Sequence, residues 1–229
     1  MKKVLFILTS HDRLGDTGEK TGFWIEEFAA PYYYLTDNNV DVTLSSPKGG
    51  QPPIDPKSDD EGSQTPSTVR FNNDKELQVK LSNTSEISTV NPNDFDAIFY
   101  PGGHGPLWDL AENKTSVGLI EQFYTQNKPV AAVCHAPVVL KDAVLASGEP
   151  LVKGKKLTSF TNSEEKAIEL DGIVPFLVED ELKNKGGIFS NAEDWASYAI
   201  EDGHLITGQN PASSILVAEL LLKQLNSES

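Results

Sequence analysis

The segment Ala131-Ala132-Val133-Cys134-His135-Ala136-Pro137 runs small apolar residues straight into the only cysteine of the chain. A strand that ends in a nucleophile and turns at once into a helix lifts that side chain above the sheet. There it meets backbone N–H groups and the positive end of the helix. Such surroundings favour thiolate and predict a lowered pKa for Cys134. A lone free cysteine is more often a small buried hydrophobe, so the segment alone leaves catalysis and packing both open. His135 comes next. In a regular strand it would point to the opposite face, so a role as base on the thiol requires the turn.

A second loop, Pro101-Gly102-Gly103-His104-Gly105-Pro106, follows an apolar run. Glycines there let the backbone approach a substrate and aim N–H groups at a developing oxyanion. A plain turn accounts for Gly102 and Gly103 equally well, and His104 either lines a pocket or faces solvent. The loop is not a dinucleotide fingerprint, since Gly-x-Gly-x-x-Gly with its downstream acid is missing. Two pairs of glutamates complete the inventory. Glu26 and Glu27 lie beside the apolar face of a predicted helix; one turned inward beneath a cysteine would be desolvated and share a proton with the thiol. Glu164 and Glu165 follow Thr161-Asn162-Ser163, where first-turn acids are expected from capping and the helix dipole alone.

These residues must be held by a frame, and the apolar pattern supplies one. Val4–Leu8, Val40–Leu44, Phe95–Tyr100, Pro129–Val133 and Lys156–Phe160 read as short buried strands. Between them, Thr21–Leu35 carries Trp24, Ile25, Phe28, Tyr32 and Leu35 at helical spacing, with Pro31 expected to disturb it. Val117–Tyr124, Ala136–Leu145 and a stretch from Ser163 also read as helices. Asp202-Gly203 between Tyr198–Ile200 and Leu205–Thr207 predicts a type I′ hairpin. Asn210-Pro211 predicts a cap and first turn of a helix to about Leu225. Residues 46–67 hold five prolines and the acidic run Asp59-Asp60-Glu61, which predicts a surface excursion without regular structure. Alternating strands and helices imply an α/β fold, a mostly parallel central sheet with helices on both faces, over a single domain spanning residues 1–229. Ligands of such sheets sit beyond the carboxyl ends of the strands, where both loops above lie.

Composition narrows the partners. Nineteen Lys and Arg against 34 Asp and Glu give a net charge of −15, which repels phosphate backbones and anionic lipid, so neither nucleic acid nor membrane is an expected partner. The apolar run Val4–Leu8 is too short for a secretory signal and no stretch suits a membrane span. One cysteine rules out an internal disulfide and fits a cytoplasmic location.

Taken together, Val133 to Pro137, Tyr100 to Pro106, Lys20 to Glu27 and Thr207 to Ser213 resemble, in order, the motifs of the ThiJ/PfpI superfamily. That superfamily is related to class I glutamine amidotransferase domains. The likeness is closer to its heat-inducible chaperone and glutathione-independent glyoxalase III branch. The resemblance implies a flavodoxin-like sandwich, a homodimer, and Cys134 as nucleophile with His135 as its partner. It implies Glu26 as the buried acid on the cysteine, Gly103 as an oxyanion donor and Glu165, rather than Glu164, as the third member of the triad. It further implies conversion of a small dicarbonyl, methylglyoxal or glyoxal, to a 2-hydroxy acid through a cysteine hemithioacetal, with no cofactor and no metal. The same turn serves acyl transfer, so an amidase, peptidase or deglycase is the first alternative. A holdase for unfolded clients or an oxidation sensor is the second.

Overall fold

The structure is a computed structural model and describes residues 1–227. Its centre is a seven-stranded sheet. The strands in chain order are β1 (Lys3–Ile7), β2 (Asp41–Ser46), β3 (Ser85–Glu86), β4 (Ala97–Tyr100), β5 (Val130–Val133), then β6 (Lys156–Leu157) and β7 (Ile188–Phe189), which pair apart, and β8 (Ala199–Asp202) and β9 (Leu205–Gly208). The large sheet has the order β3-β2-β1-β4-β5-β9-β8. Every pairing in it is parallel except β8 with β9. The chain builds outward from β1 through β2 to β3, then reverses to add β4 and β5 on the other side. That reversal opens a crevice at the carboxyl ends of β1 and β4.

Strands β4 and β5 are apolar at every position, and β1 is after Lys3, because both faces are covered there. Val4, Phe6, Phe99, Ala131 and Val133 join one core. Leu5, Ile7, Ile98, Tyr100 and Ala132 join the other, as the two-residue period of a strand requires. Helices α1 (Ile25–Asp37), α2 (Pro66–Asn73) and α3 (Lys75–Ser82) contribute to the first core. The short α4 (Pro106–Asp109), α5 (Lys114–Thr125) and α7 (Val178–Asn184) contribute to the second, while α6 (Asn162–Ala167) lies between them in sequence. The last helix, α8 (Ser214–Ser227), returns to the first face through Val217, Leu221 and Leu225.

Several expectations change. Helix α1 begins at Ile25, because Thr21–Phe23 is drawn out as extended chain against the excursion, Phe23 bridging Ile54. The helix runs on through Pro31. The excursion is structured: 3₁₀ turns at Pro56–Asp59 and Glu61–Ser63 lead into α2, whose first turn is closed by a Thr65–Thr68 capping box. The segment after Cys134 is a 3₁₀ stretch, Ala136–Leu140, and not a helix to Leu145. Strand β6 stops at Leu157. The hairpin forms, but Asp202 pairs with Leu205, leaving Gly203 and His204 as its loop. Only Gly203 takes a positive φ there, whereas a type I′ turn needs two such residues. Asn210 and Ser213 cap the Pro211–Ser213 turn that opens α8, as the sequence implies.

Candidate active site

Cys134 stands immediately after β5 with φ 64°, in the left-handed region that a side chain with a Cβ rarely enters. Hydrogen bonds on both sides hold it there: Cys134 N donates to Gly208 O at 2.9 Å and Phe160 N donates to Cys134 O at 2.8 Å. A strained residue fixed by its neighbours is the usual mark of a functional turn. The turn also redirects His135, whose Nδ1 lies 3.4 Å from Cys134 Sγ. His135 Nε2 is 2.5 Å from Glu165 Oε2, and His104 Nε2 is 2.8 Å from Glu165 Oε1. One carboxylate thus bridges two imidazoles, whose ring centroids are 4.0 Å apart.

The tautomers follow from this network. Burial alone would raise the Glu165 carboxyl, but His135 and the hydrogen bonds from both histidines outweigh it and hold Glu165 well below the usual carboxylate range. An ionised Glu165 only accepts, so each histidine donates its Nε2–H. In a neutral His135 that tautomer leaves Nδ1 as the acceptor on the thiol side. Nitrogens of His104 and His135 and an oxygen of Glu165 lie within 4.8 Å of one another, close enough to surround an ion. Their contacts at 2.5 and 2.8 Å are hydrogen bonds, which explain the cluster as a relay.

The acid beneath the cysteine is Glu27 and not Glu26, which corrects the expectation drawn from the resemblance. Glu27 is completely buried and lies against Cys134 and the Gly102 backbone. Glu26 turns away, accepts a hydrogen bond from Thr65 of the excursion, and has its pKa raised by burial in spite of that bond. Successive helical residues point about 100° apart, so only one of the pair can face β5. The apolar face is broader than Ile25, Phe28 and Leu35 suggest, because the small Ala29 and Ala30 are buried too. Phe28 anchors this orientation among Phe6, Phe23 and Phe71, with centroids 6.1, 5.5 and 5.9 Å away. Burial pushes the Glu27 carboxyl up to about 8, with a smaller opposing effect from Cys134 and Gly102. At neutral pH Glu27 is therefore mostly protonated beside the sulfur.

The thiol departs from expectation in the same way. Burial, and then the carboxylate of Glu27, push Cys134 well above the ordinary thiol range. The 3₁₀ stretch of five residues after it has too little aligned dipole to oppose Glu27, Glu164 and Glu165. The resting thiol keeps its proton.

Gly102 and Gly103 are required by contact. A Cβ on Gly102 would come within 2.3 Å of Glu27 Oε2 and 3.2 Å of Cys134 Cβ, so the missing side chain is the gap through which the acid reaches the sulfur. Gly103 has φ 97°, and a Cβ there would lie 2.3 Å from Gly22 O. Its N–H donates to no protein acceptor among the described residues, and Gly103 borders the pocket, where that N–H suits an oxyanion. The pocket holds about 90 Å³, between Glu27, Gly103, His104, Cys134 and His135 on one side and Trp24, Phe160, Ile168, Trp195 and Pro211 on the other. Sequence reasoning missed Trp195. It carries a positive φ of 67° and its N–H is held by Glu164, which no local pattern announces. The excursion lines none of the pocket and instead clamps Thr21–Trp24 from behind, through Phe23 N to Pro53 O and Thr21 Oγ1 to Asp55.

Residues 20–224 match the DJ-1/PfpI family. The chain belongs to this family. It is 30% identical to Glyoxalase 3 of Candida albicans over 96% of both chains. It is 31% identical to the glutathione-independent glyoxalase HSP31 of Saccharomyces cerevisiae over 93% of both. The X-ray structure of Rapid Encystment Protein 24 kDa of Francisella tularensis superposes with a TM-score of 0.94 at 36% identity, covering 98% of this chain and 99% of that one. In this DJ-1/PfpI chain the flavodoxin-like fold assembles the site from two strand ends and a helix: Cys134 and His135 after β5, the Gly102–His104 loop after β4, and Glu165 from α6.

Proposed function

We propose that this chain is a glutathione-independent glyoxalase that converts methylglyoxal or glyoxal to lactate or glycolate. The observation that carries the reading is the pairing of a cysteine on an oriented base, Cys134–His135–Glu165, with a protonated buried acid, Glu27, around one pocket of about 90 Å³. Pockets for larger ligands run to roughly 300–1,000 Å³. A three-carbon dicarbonyl suits this space; a peptide or a sugar adduct does not, which disfavours the peptidase and deglycase alternatives. The relatives named as glyoxalases support the same choice.

The thiol proton passes to His135 Nδ1 as sulfur adds to the aldehyde carbon, and Gly103 N–H steadies the oxyanion. The proton returns to that oxygen, giving the hemithioacetal. Hydrogen then moves from the sulfur-bearing carbon to its neighbour through an enediol, with Glu27 giving a proton to the ketone oxygen and later taking one from the hydroxyl. Water cleaves the resulting thioester and releases the 2-hydroxy acid. No helix among the described residues is long and apolar enough to cross a membrane. On this reading the enzyme works in the cytoplasm as a homodimer. Binding of unfolded clients would use apolar surface such as Ile168 and Trp195 at the pocket mouth, 38% and 48% exposed, and would survive loss of the thiol. The test is lactate formation from methylglyoxal in glutathione-free buffer, with Cys134→Ser alongside. Lactate from the wild type only is the expected result; lactate from neither, with Cys134 reduced and alkylatable, would overturn the reading.

A further inference from the structure

The hydrogen transfer between the two carbons needs a base, and the pocket has two imidazoles. His135 is committed: Nδ1 faces the sulfur, Nε2 faces Glu165, and its ring is packed between His104 and Phe160 with centroids 4.0 and 4.3 Å away. It cannot swing toward a second carbon without leaving the thiol. His104 is differently placed. Its Nε2–H is given to Glu165 Oε1, it borders the pocket, and its Nδ1 makes no hydrogen bond among the described residues. The loop that carries it is closely packed, since a Cβ on Gly103 would come within 2.3 Å of Gly22 O and one on Gly105 within 2.5 Å of Thr9.

We propose that His104 is the catalytic base that carries hydrogen from one substrate carbon to the other, sharing Glu165 with His135 as a common counter-charge. The proposal rests on the glyoxalase reading. In the step, the C–H bond of the sulfur-bearing carbon breaks and its proton goes to His104 Nδ1. The electron pair forms the C=C bond of the enediol while the ketone oxygen takes the proton of Glu27. The proton on Nδ1 then goes to the neighbouring carbon, the C=C pair forming the new C–H bond. The hydroxyl of the sulfur-bearing carbon returns a proton to Glu27 and becomes the thioester carbonyl. One carbon is oxidised and its neighbour reduced, with no outside reagent. Glu165 carries a single negative charge, so it balances one imidazolium at a time: His135 during addition, His104 during transfer. Burial, and then His135, lower the His104 pKa, leaving it a free base at neutral pH.

His104→Gln separates this role from one of positioning, because the Gln amide can still donate to Glu165 Oε1 but has no basic nitrogen. Lactate formation from methylglyoxal should fall by about 10²–10⁴-fold, the usual worth of a general base. Iodoacetamide should still alkylate Cys134 at the wild-type rate, and methylglyoxal should still protect Cys134 from it, because addition precedes the lost step. Where Gln disturbs folding, His104→Phe keeps a ring packed against His135 and gives the same readouts. Lactate formation within about threefold of wild type would overturn the proposal alone, as would equal losses of lactate formation and alkylation. Absence of lactate from the wild type would remove the glyoxalase reading as well.

Discussion

Two adjacent glutamate pairs, Glu26-Glu27 at the start of α1 and Glu164-Glu165 in α6, divide the same labour with opposite electrostatics. In each pair one residue enters the site and its neighbour holds the scaffold. Glu27 is buried with no cation near it, so it keeps its proton. Glu165 is buried between two imidazoles, so it loses its proton and acts as an acceptor. Of the supporting pair, Glu26 makes a single bond to Thr65 at the edge of the excursion. Glu164 accepts from Thr161 N, Trp195 N, Gln209 Nε2 and Asn210 Nδ2, tying together the segments that roof the pocket. Residue type thus sets what a buried carboxylate can do, and its partners decide which protonation state does it.

The largest expected break in this comparison is Glu165→Gln. An amide cannot accept from both histidines, so His135 loses its fixed tautomer, and kcat should drop on the order of 10²–10⁴-fold, with slower alkylation of Cys134 by iodoacetamide. Glu27→Gln should cost kcat on the order of 10²-fold or more, because an amide donor does not release a proton, whereas Glu26→Gln should stay within about threefold. Equal losses from the two would erase the distinction between these neighbours. Glu164→Gln should act mainly on stability, by about 1–3 kcal/mol in urea denaturation, since its amide nitrogen would face a donor.

A subtler test uses pH. Glu27 has a folded pKa near 8 against an ordinary value of 4.5. Between those values the native state holds a proton that the unfolded chain has released, so its contribution falls as pH rises, by at most about 1.4 kcal/mol per unit. Glu165 has the reverse sign: its folded pKa is depressed, so its contribution is present above about 4.5 and is lost as pH falls. Urea denaturation from pH 5 to 8 should therefore show Glu27→Gln gaining on the wild type as pH rises. A gap independent of pH would mean that Glu27 is ionised in the native protein.

Much of this was legible in residues 1–229. The strand running into Cys134, the following His135, the glycines after β4 and the short apolar strands all depend on local pattern and on the two-residue strand period, which a sequence carries directly. Whether His135 reaches the thiol depended on the turn at Cys134, which the structure supplies through a positive φ. Other features were not local. The choice of Glu27 over Glu26 rests on how α1 rolls onto the sheet, set by Phe28 among three other aromatic rings. The order within the excursion depends on its packing against Thr21–Trp24, and the upward shift of the Cys134 thiol depends on burial near carboxyl groups from two helices.

The sequence by itself determined the strand-end cysteine, the parallel α/β frame and the set of acids and histidines available to a site, because these follow from residue type and short-range periodicity. Only the tertiary structure decided which glutamate of each pair enters the pocket, that His104 and His135 share Glu165, and that the thiol rests protonated. Charge state and facing direction are properties of surroundings, and here residues from four separate parts of the chain supply those surroundings.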